Sequence, residues 1–154
     1  MIDRKLLIRK FFEENTLVGS NIVSFNDFIE NQLQKIVNDQ KEAIPAVVPP
    51  EVEEVKFEFG AISLNRPTIV EADGSERELY PMEARLRNLT YSSKVFLEVG
   101  LIIDGKERER AEVEIAEIPI MLKSKLCHLS DLNSEQLIDA GEDPEDCGGY
   151  FIID

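Results

Sequence analysis

Apolar residues recur at helical spacing in two segments near the start of the chain. In IDRKLLIRKFFEEN they occupy positions 2, 6, 7, 11 and 12, and Asp3 is a candidate N-cap. In SFNDFIENQLQKIV one apolar stripe runs from position 25 to position 37, Ser24 is a candidate N-cap, and Asp27 lies near the positive end of the helix. We therefore predict two N-terminal helices, separated by a break at LVGS.

The apolar period changes to two after the proline-containing connector AIPAVVPPEVEE, which cannot form a regular helix. Positions 55, 57 and 59 are apolar and alternate with charged residues, which predicts a half-buried strand. The dipeptides Asp73-Gly74 and Asp104-Gly105 are typical of hairpin turns, because glycine tolerates the positive φ that tight turns need. The alternating charges of KERER at 106–110 indicate an edge strand protected against aggregation.

Short helical signals follow within the second half of the chain. Pro81 opens MEARLRNL, where its missing N–H costs nothing, and NSEQLIDAG pairs Asn133 with Gln136 in a capping box before Gly141 ends the helix. The final GGYFIID reads as an apolar strand. The predicted fold class is α+β: two N-terminal helices, then mixed or antiparallel strands and hairpins with short helical inserts.

Composition and charge limit the classes of function. The 154 residues and 43% apolar content fit one globular domain spanning 1–154. Acidic residues outnumber basic ones by 31 to 17, which argues against a freestanding nucleic-acid binder. The first residues are nevertheless basic, and no Lys or Arg follows Lys125. This gradient suits a piece of a larger assembly, in which one face meets a partner.

Neither a secretory signal nor a membrane span is predicted. The N-terminus is charged and amphipathic, and no apolar run approaches the ~20 residues that a span requires. Cys127 and Cys147 are then expected to be reduced and partly buried rather than bridged. These features predict a soluble, cytoplasmic protein.

No motif indicates catalysis or a metal site. His128 adjoins Cys127, so a nucleophile pair or a zinc site with Cys147 can be considered, but neither has the required spacing or an orienting partner. EDPED at 142–146 lacks the ligand pattern of a calcium loop and is interpreted as a solvated acidic loop. We predict no catalytic residue, no metal ligand and no cofactor in the chain.

Two groups of basic residues are candidates for contacts. Lys123 and Lys125 in IPIMLKSKLCHL share a face if the segment is extended, and could meet phosphates or remain solvated. In YPMEARLRNLTYSS, which begins at Tyr80, at least one arginine is expected to bond internally, because Glu83 and Asn88 are close in sequence. The residues alone do not decide which of Arg85 and Arg87 makes this internal bond.

Four segments occur in an order that resembles a known family. They are SFNDFI at 24–29, EADGSERELYPMEARLRNLTYSS at 71–93, IPIMLKSKLCHL at 118–129 and GEDPEDCGGYFII at 141–153. Together they resemble the N-terminal region of the second-largest subunit of archaeal and eukaryotic RNA polymerases. The short linkers favour the archaeal form, in which this polypeptide is either whole or split in two. The later segments also resemble the bacterial β subunit more distantly.

The resemblance implies a noncatalytic role. In this family the region forms the first half of the protrusion, a wall of the DNA cleft, and the magnesium-binding aspartates belong to the largest subunit. Magnesium and any zinc are thus expected elsewhere in the polymerase. The implied partners are other polymerase subunits, DNA, the RNA–DNA hybrid, and initiation and elongation factors. With the resemblance, we assign structural roles to Arg85, Asn88 and Tyr80. Lys123, Lys125 and Arg87 are the candidate nucleic-acid contacts, and the role of Arg87 stays open.

The resemblance also bears on the end of the chain. In the family a Gly-Ser/Thr-Glu turn follows FII, whereas this chain stops at Asp154, where the family usually has Asn. The 154 residues are therefore expected to be either a polypeptide truncated at its C-terminal strand or an unusually short split subunit, with the partners of that strand in sequence that this chain lacks. Two other hypotheses are a stand-alone acidic interaction module with a protrusion-like fold, and an unrelated hydrolase that uses Cys127 and His128.

Overall fold

The computed structural model describes residues 4–14 and 17–154. Its contacts divide these residues into two compact units. The first contains the described residues up to Asn26, together with Arg66–Ser92 and Pro119–Asp154. The second contains Asp27–Asn65 and Ser93–Ile118. The prediction of one domain over 1–154 stays a prediction.

Three α-helical segments open the described chain. They are α1 (Arg4–Glu14), α2 (Gly19–Asp27) and α3 (Leu33–Gln40), and a π-helical stretch (Phe28–Gln32) lies between α2 and α3. The two predicted helices match this arrangement only roughly, and the Asp3 cap falls outside the described residues.

The predicted cap of the second helix is wrong. Ser24 lies inside α2, which begins five residues earlier, at Gly19. Asp27 is likewise inside the helical run rather than at its start, and its carboxylate accepts hydrogen bonds from Asn31 (2.7 Å) and Gln32 (2.8 Å). Gln32, at i+5, comes within reach of Asp27 in the π-helical stretch, where the backbone N–H of Leu33 also bonds five residues back.

The second unit holds a four-stranded sheet. Its strands are β1 (Glu42–Ala43), β2 (Val55–Leu64), β5 (Ser92–Ile103) and β6 (Lys106–Pro119), in the order β1-β2-β5-β6. β2 pairs antiparallel with both β1 and β5. The predicted strand from position 55 and the charged edge strand β6 are confirmed.

Two local features shape this sheet. Asp104 and Gly105 form the tight turn between β5 and β6 with φ of 49° and 73°, as the dipeptide predicts. The register of β2 against β5 shifts between Phe59 and Ile62. There the Gln34 side chain donates to the Gly60 carbonyl (3.2 Å) and accepts from the Ile62 N–H (2.9 Å). An α3 side chain thus satisfies the backbone groups that the bulge releases from the ladder.

The first unit combines a small hairpin with two short helices. β3 (Thr68–Val70) and β4 (Glu76–Glu78) pair antiparallel around the predicted Asp73-Gly74 turn. α4 (Pro81–Leu86) and α5 (Ser134–Asp139) follow, and the Asn133–Gln136 capping box of α5 is present as predicted. The buried cluster of this unit comprises Leu79, Ala84, Tyr91, Ile120, Leu122, Cys127, Leu129 and Leu137.

The predicted C-terminal strand is wrong. Residues 141–154 contain no strand, and the segment makes separate backbone bonds to two other parts of the first unit. The Tyr91 N–H donates to the Ile152 carbonyl (3.0 Å), and the Leu122 N–H donates to the Tyr150 carbonyl (2.9 Å). Gly148 and Gly149 have φ of 69° and 78°, which interrupts an extended path. The described chain itself therefore supplies bonding partners to this segment.

The α+β fold class with an antiparallel sheet is confirmed, because few helices accompany paired antiparallel strands. Among the described residues, no helix has the length and apolar character needed to cross a membrane.

Candidate functional site

Arg85 lies in the last turn of α4 and reaches the C-terminal segment. Its Nη1 donates to both carboxylate oxygens of Glu142 (2.9 and 2.8 Å), and its Nη2 donates to the Tyr150 hydroxyl (3.0 Å). The Glu142 side chain is only 5% exposed. Burial lowers the pKa of Arg85, but its bonds to Glu142 and Tyr150 outweigh that effect and raise the pKa above its ordinary value. The forked guanidinium thus joins α4 to Glu142, which lies 57 positions further along the chain, and to Tyr150, which lies 65 positions further along.

The acidic segment 142–146 is only partly solvated: Asp143 and Glu145 are exposed, but the interpretation as a solvated loop is wrong for Glu142 and Asp146. Glu142 is buried against Arg85. The Asp146 carboxylate accepts from the Gly148 N–H (2.8 Å) and the Tyr150 hydroxyl (2.5 Å). Burial alone would raise the pKa of Asp146, but these two bonds and the charge of Lys123 lower it. A carboxylate that accepts several hydrogen bonds can stay charged away from bulk water.

Lys123 and Lys125 do not lie on an extended segment, so the premise for placing them on one face is wrong. Residues 122–123 and 125–126 form consecutive turns, and Lys123 has a φ of 61°. Its ammonium group donates to the Asp146 carbonyl. Lys125 is exposed, and its backbone N–H donates to the Asn26 side chain (2.9 Å). Nucleic-acid contact by either lysine stays a prediction.

Arg87 belongs to a four-residue charge network with Arg77, Glu71 and Glu83. Arg87 Nη1 lies 3.0 Å from Glu71 Oε1 and 2.9 Å from Glu83 Oε1. Arg77 Nε donates to Glu71 (2.9 Å) and its Nη1 to Glu83 (2.8 Å). The bonds from Arg77 and then Arg87 lower the pKa of Glu83 to about 2. The network ties the β3–β4 hairpin to α4, and a nucleic-acid role for Arg87 stays a prediction.

Tyr80 and Asn88 flank α4. Tyr80 has the extended backbone of an N-cap, its ring stacks on His128 with centroids 5.0 Å apart, and its hydroxyl lies 3.3 Å from a Glu78 carboxylate oxygen. Asn88 has a φ of 51° just after the helix, a conformation that asparagine tolerates better than most residues. These positions are compatible with the predicted structural roles of Tyr80, Arg85 and Asn88, which remain proposals.

His128 and Cys127 are packed into the buried cluster of the first unit. The Tyr91 hydroxyl donates to Cys127 Sγ (3.8 Å) and accepts from the His128 N–H (3.1 Å). His128 Nε2 lies 2.9 Å from the Pro67 carbonyl oxygen, so this nitrogen carries the proton and donates. The His128 ring is therefore hydrogen-bonded to backbone rather than to the thiol of Cys127. Burial raises the pKa of the Tyr91 hydroxyl, so this group stays protonated.

The described residues contain no group of three or more His, Cys, Asp or Glu side chains that could hold a metal ion. Both cysteines are free thiols: Cys127 is buried and Cys147 is exposed.

Sequence reasoning missed the partners of the basic residues. Glu142 and Tyr150 were not matched with Arg85, because no periodic pattern connects positions that far apart. Glu71 and Arg77 were likewise not placed beside Arg87. The sequence contained one signal of this contact: Arg85 and its partners Glu142 and Tyr150 all lie in segments that carry the family resemblance.

Comparison with known proteins identifies the family. A family model described as RNA polymerase beta subunit matches residues 16–154. The chain is 45% identical over 150 residues to the DNA-directed RNA polymerase subunit Rpo2N of Methanothermobacter thermautotrophicus, covering 96% of this chain and 28% of that protein. It is 46% identical over 151 residues to Rpo2N of Methanocaldococcus jannaschii, covering 96% of this chain and 30% of that protein.

A longer relative shows the same similarity. Over 151 residues the chain is 41% identical to the DNA-directed RNA polymerase subunit Rpo2 of Saccharolobus solfataricus, covering 98% of this chain and 13% of that protein. The chain thus spans less than a third of the length of each of these relatives. The predicted resemblance to an archaeal polymerase subunit is confirmed. Since the family model matches most of the chain, this protein belongs to the RNA polymerase beta subunit family.

Proposed function

We propose that this chain is a noncatalytic structural domain of a DNA-directed RNA polymerase, forming part of the protrusion wall of the DNA cleft. The observation that carries the proposal is the 41–46% identity to archaeal polymerase subunits over 96–98% of the chain. Because the chain matches only 13–30% of those proteins, nucleotide transfer belongs to the assembled enzyme and this chain supplies part of its framework. The expected location is then the cytoplasm, where archaeal DNA is transcribed.

The internal bonding of the first unit supports a framework role. Arg85, Glu142 and Tyr150 join α4 to the C-terminal segment, and the Arg77–Arg87 network joins α4 to the β3–β4 hairpin. A surface that retains nucleic acid or receives factors needs side chains held in fixed positions. The proposed partners are other polymerase subunits, DNA, the RNA–DNA hybrid, and initiation and elongation factors.

Purification from native cells tests the proposal. We expect a chromosomally tagged chain to copurify with the largest polymerase subunit after nuclease treatment, and the complex to incorporate nucleotides on a DNA template. An untagged strain is the control. A chain that elutes alone, without polymerase subunits, would reject this function and favour the stand-alone acidic module, which the net charge of −14 otherwise supports.

Nucleic-acid contact is proposed for Lys123, Lys125 and Arg87, and Lys125 is the exposed one of the two lysines. Each phosphate contact contributes about one unit to the slope of log affinity against log salt concentration. We expect Lys125→Ala to reduce that slope by about one unit for the assembled polymerase, with the largest loss of affinity at low salt. Lys106→Ala, at an exposed position next to the β5–β6 turn, is the control. An unchanged slope for Lys125→Ala would remove this contact from the proposal.

A further inference from the structure

Two consecutive residues of the first unit, Lys123 and Ser124, hold unfavourable local arrangements. Lys123 has a φ of 61°, in the left-handed region that a lysine rarely adopts. Ser124 is 0% exposed, and its hydroxyl has no hydrogen-bond partner among residues 4–14 and 17–154. Most buried polar side-chain atoms in native structures do have a partner. Arrangements of this kind persist only where the surrounding structure enforces them.

A segment near the end of the chain bonds to this turn in both directions. The Leu122 N–H donates to the Tyr150 carbonyl (2.9 Å), and the Gly149 N–H donates back to the Leu122 carbonyl (3.0 Å). The Lys123 ammonium donates to the Asp146 carbonyl. Three hydrogen bonds to the later segment thus hold Leu122 and Lys123 in place.

Gly148 lets the two segments approach closely. It has a φ of 69°, and a Cβ at this position would lie 2.6 Å from the Leu122 carbonyl oxygen and 2.9 Å from the Cβ of Lys123. Any larger residue would therefore push the segments apart. The Gly148 N–H also donates to the Asp146 carboxylate (2.8 Å), which fixes the bend of the later segment. This segment is thus shaped to lie directly against the turn.

We propose that residues 146–150 are a strap that holds the turn at residues 122–124 in a strained conformation, and that strap and turn open together as one local unit. On opening, Lys123 can return to a negative φ and the Ser124 hydroxyl gains water as a partner. Opening also frees the Lys123 ammonium from Asp146, so an anion that binds this ammonium favours the open form. The inference goes beyond the proposed function and does not depend on it, because every contact that carries it lies within the first unit.

Contacts on both sides of the strap allow it to open while its flanks stay bound. Before the strap, Glu142 is held by Arg85 (2.8 Å). After it, the Tyr91 N–H donates to the Ile152 carbonyl (3.0 Å). The Tyr150 hydroxyl, which accepts from Arg85 (3.0 Å), opposes opening from the far end of the strap. The open form is therefore a minor one that exchange measurements can detect.

Native-state hydrogen exchange of the 154-residue chain tests whether strap and turn open together. The amide protons of Leu122, Ser124 and Gly149 are each hydrogen-bonded in the closed form. We expect these three to share one opening free energy, lower than that of Ile120, whose amide bonds to Tyr91 in the buried cluster. Three different opening free energies, or one equal to that of Ile120, would overturn the proposal.

A substitution at Ser124 tests the strain in the turn. Ser124→Ala removes the buried hydroxyl without a partner and should raise the folding equilibrium constant on the order of tenfold in urea unfolding. Ser130→Ala is the matched control. The Ser130 hydroxyl donates to the Cys127 carbonyl (2.9 Å), so its removal should lower the constant. A fall with Ser124→Ala, as expected if an internal water binds the hydroxyl, or an unchanged constant would overturn the strained turn.

A double-mutant cycle tests whether the strap causes the strain. Gly148→Ala introduces a Cβ that meets Leu122 and Lys123, and so favours the open form. In that background the Ser124 hydroxyl is already solvated, so Ser124→Ala should no longer raise the folding equilibrium constant. The same gain in both backgrounds would show that the strap does not enforce the turn. If the Gly148→Ala chain does not fold, hydrogen exchange of the unsubstituted chain still decides the proposal.

Discussion

Removal of the Arg85 guanidinium is the sharpest test of the internal contacts of the first unit. Arg85→Ala deletes the two bonds to Glu142 and the bond to Tyr150. The Glu142 carboxylate, whose side chain is 5% exposed, would then remain buried without its cation. Removing one partner of a buried ion pair typically costs about 3–5 kcal/mol. Because the Arg85 side chain is 30% exposed, the low end of that range, about 3 kcal/mol, is expected.

Urea unfolding of the 154-residue chain, followed by far-UV circular dichroism, measures this loss. For a chain of this size, about 3 kcal/mol corresponds to a fall of roughly 6–12 °C in the melting temperature. Replacing Glu142 by Leu in the Arg85→Ala background should restore part of the stability, because the buried charge is then gone. This recovery separates the cost of an unpaired buried carboxylate from the simple loss of packing by the arginine stem.

Arg87→Ala is the matched control for Arg85→Ala. The residue types are identical and two positions apart, but Arg87 bonds to Glu71 and Glu83, which are more exposed and keep Arg77 as a partner. We expect a much smaller effect, since exposed ion pairs are screened by solvent and salt. If both substitutions lower the free energy of unfolding equally, or if Arg85→Ala has no effect, the argument from burial is refuted.

Three further outcomes are expected. Glu83→Gln should lower the free energy of unfolding at pH 7. The pKa of Glu83 falls from 4.5 to about 2 on folding, so the stabilisation by its charge is lost as the pH falls through this window. The difference in free energy of unfolding between the unsubstituted chain and Glu83→Gln should therefore become smaller from about pH 5 to about pH 2, and a difference that stays constant would contradict this cause. Gly148→Ala should destabilise the chain more than Gly74→Ala. Both positions have positive φ, but a Cβ at position 148 would lie 2.6 Å from the Leu122 carbonyl oxygen, whereas one at position 74 would meet no atom within 4 Å. Equal losses in the free energy of unfolding would contradict the steric argument. A thiol reagent should modify Cys147 in the native chain and Cys127 only after unfolding, and rapid modification of both would contradict the burial of Cys127.

Several elements were predictable because their signals lie within a few residues. The Asp104-Gly105 turn follows from the positive φ that glycine tolerates, and the capping box of α5 follows from two side chains three positions apart. The strand from position 55 follows from its period of two. The start of α2 was mispredicted, because Ser24 is a good N-cap by type yet lies within a helix that begins at Gly19.

The candidate site was less predictable from local patterns. Arg85, Arg87 and Lys123 were recognised as residues of interest, but their partners lie outside the range of any helical or strand period. Arg85 meets Glu142 and Arg87 meets Glu71 only because the chain returns to α4. The same is true of Gln34, whose side chain bonds to the bulge of β2.

The sequence by itself determined the fold class, the hairpin turns, the capping box of α5 and, through its ordered motifs, the polymerase family. Tertiary structure alone decided which charges are internal, since Glu142 and Asp146 were indistinguishable by composition from a solvated acidic loop. It also decided that residues 141–154 bond to two separate segments rather than forming a strand. The physical reason is distance along the chain. Turns and caps are set by neighbouring residues, whereas burial and long-range ion pairs depend on where remote segments meet.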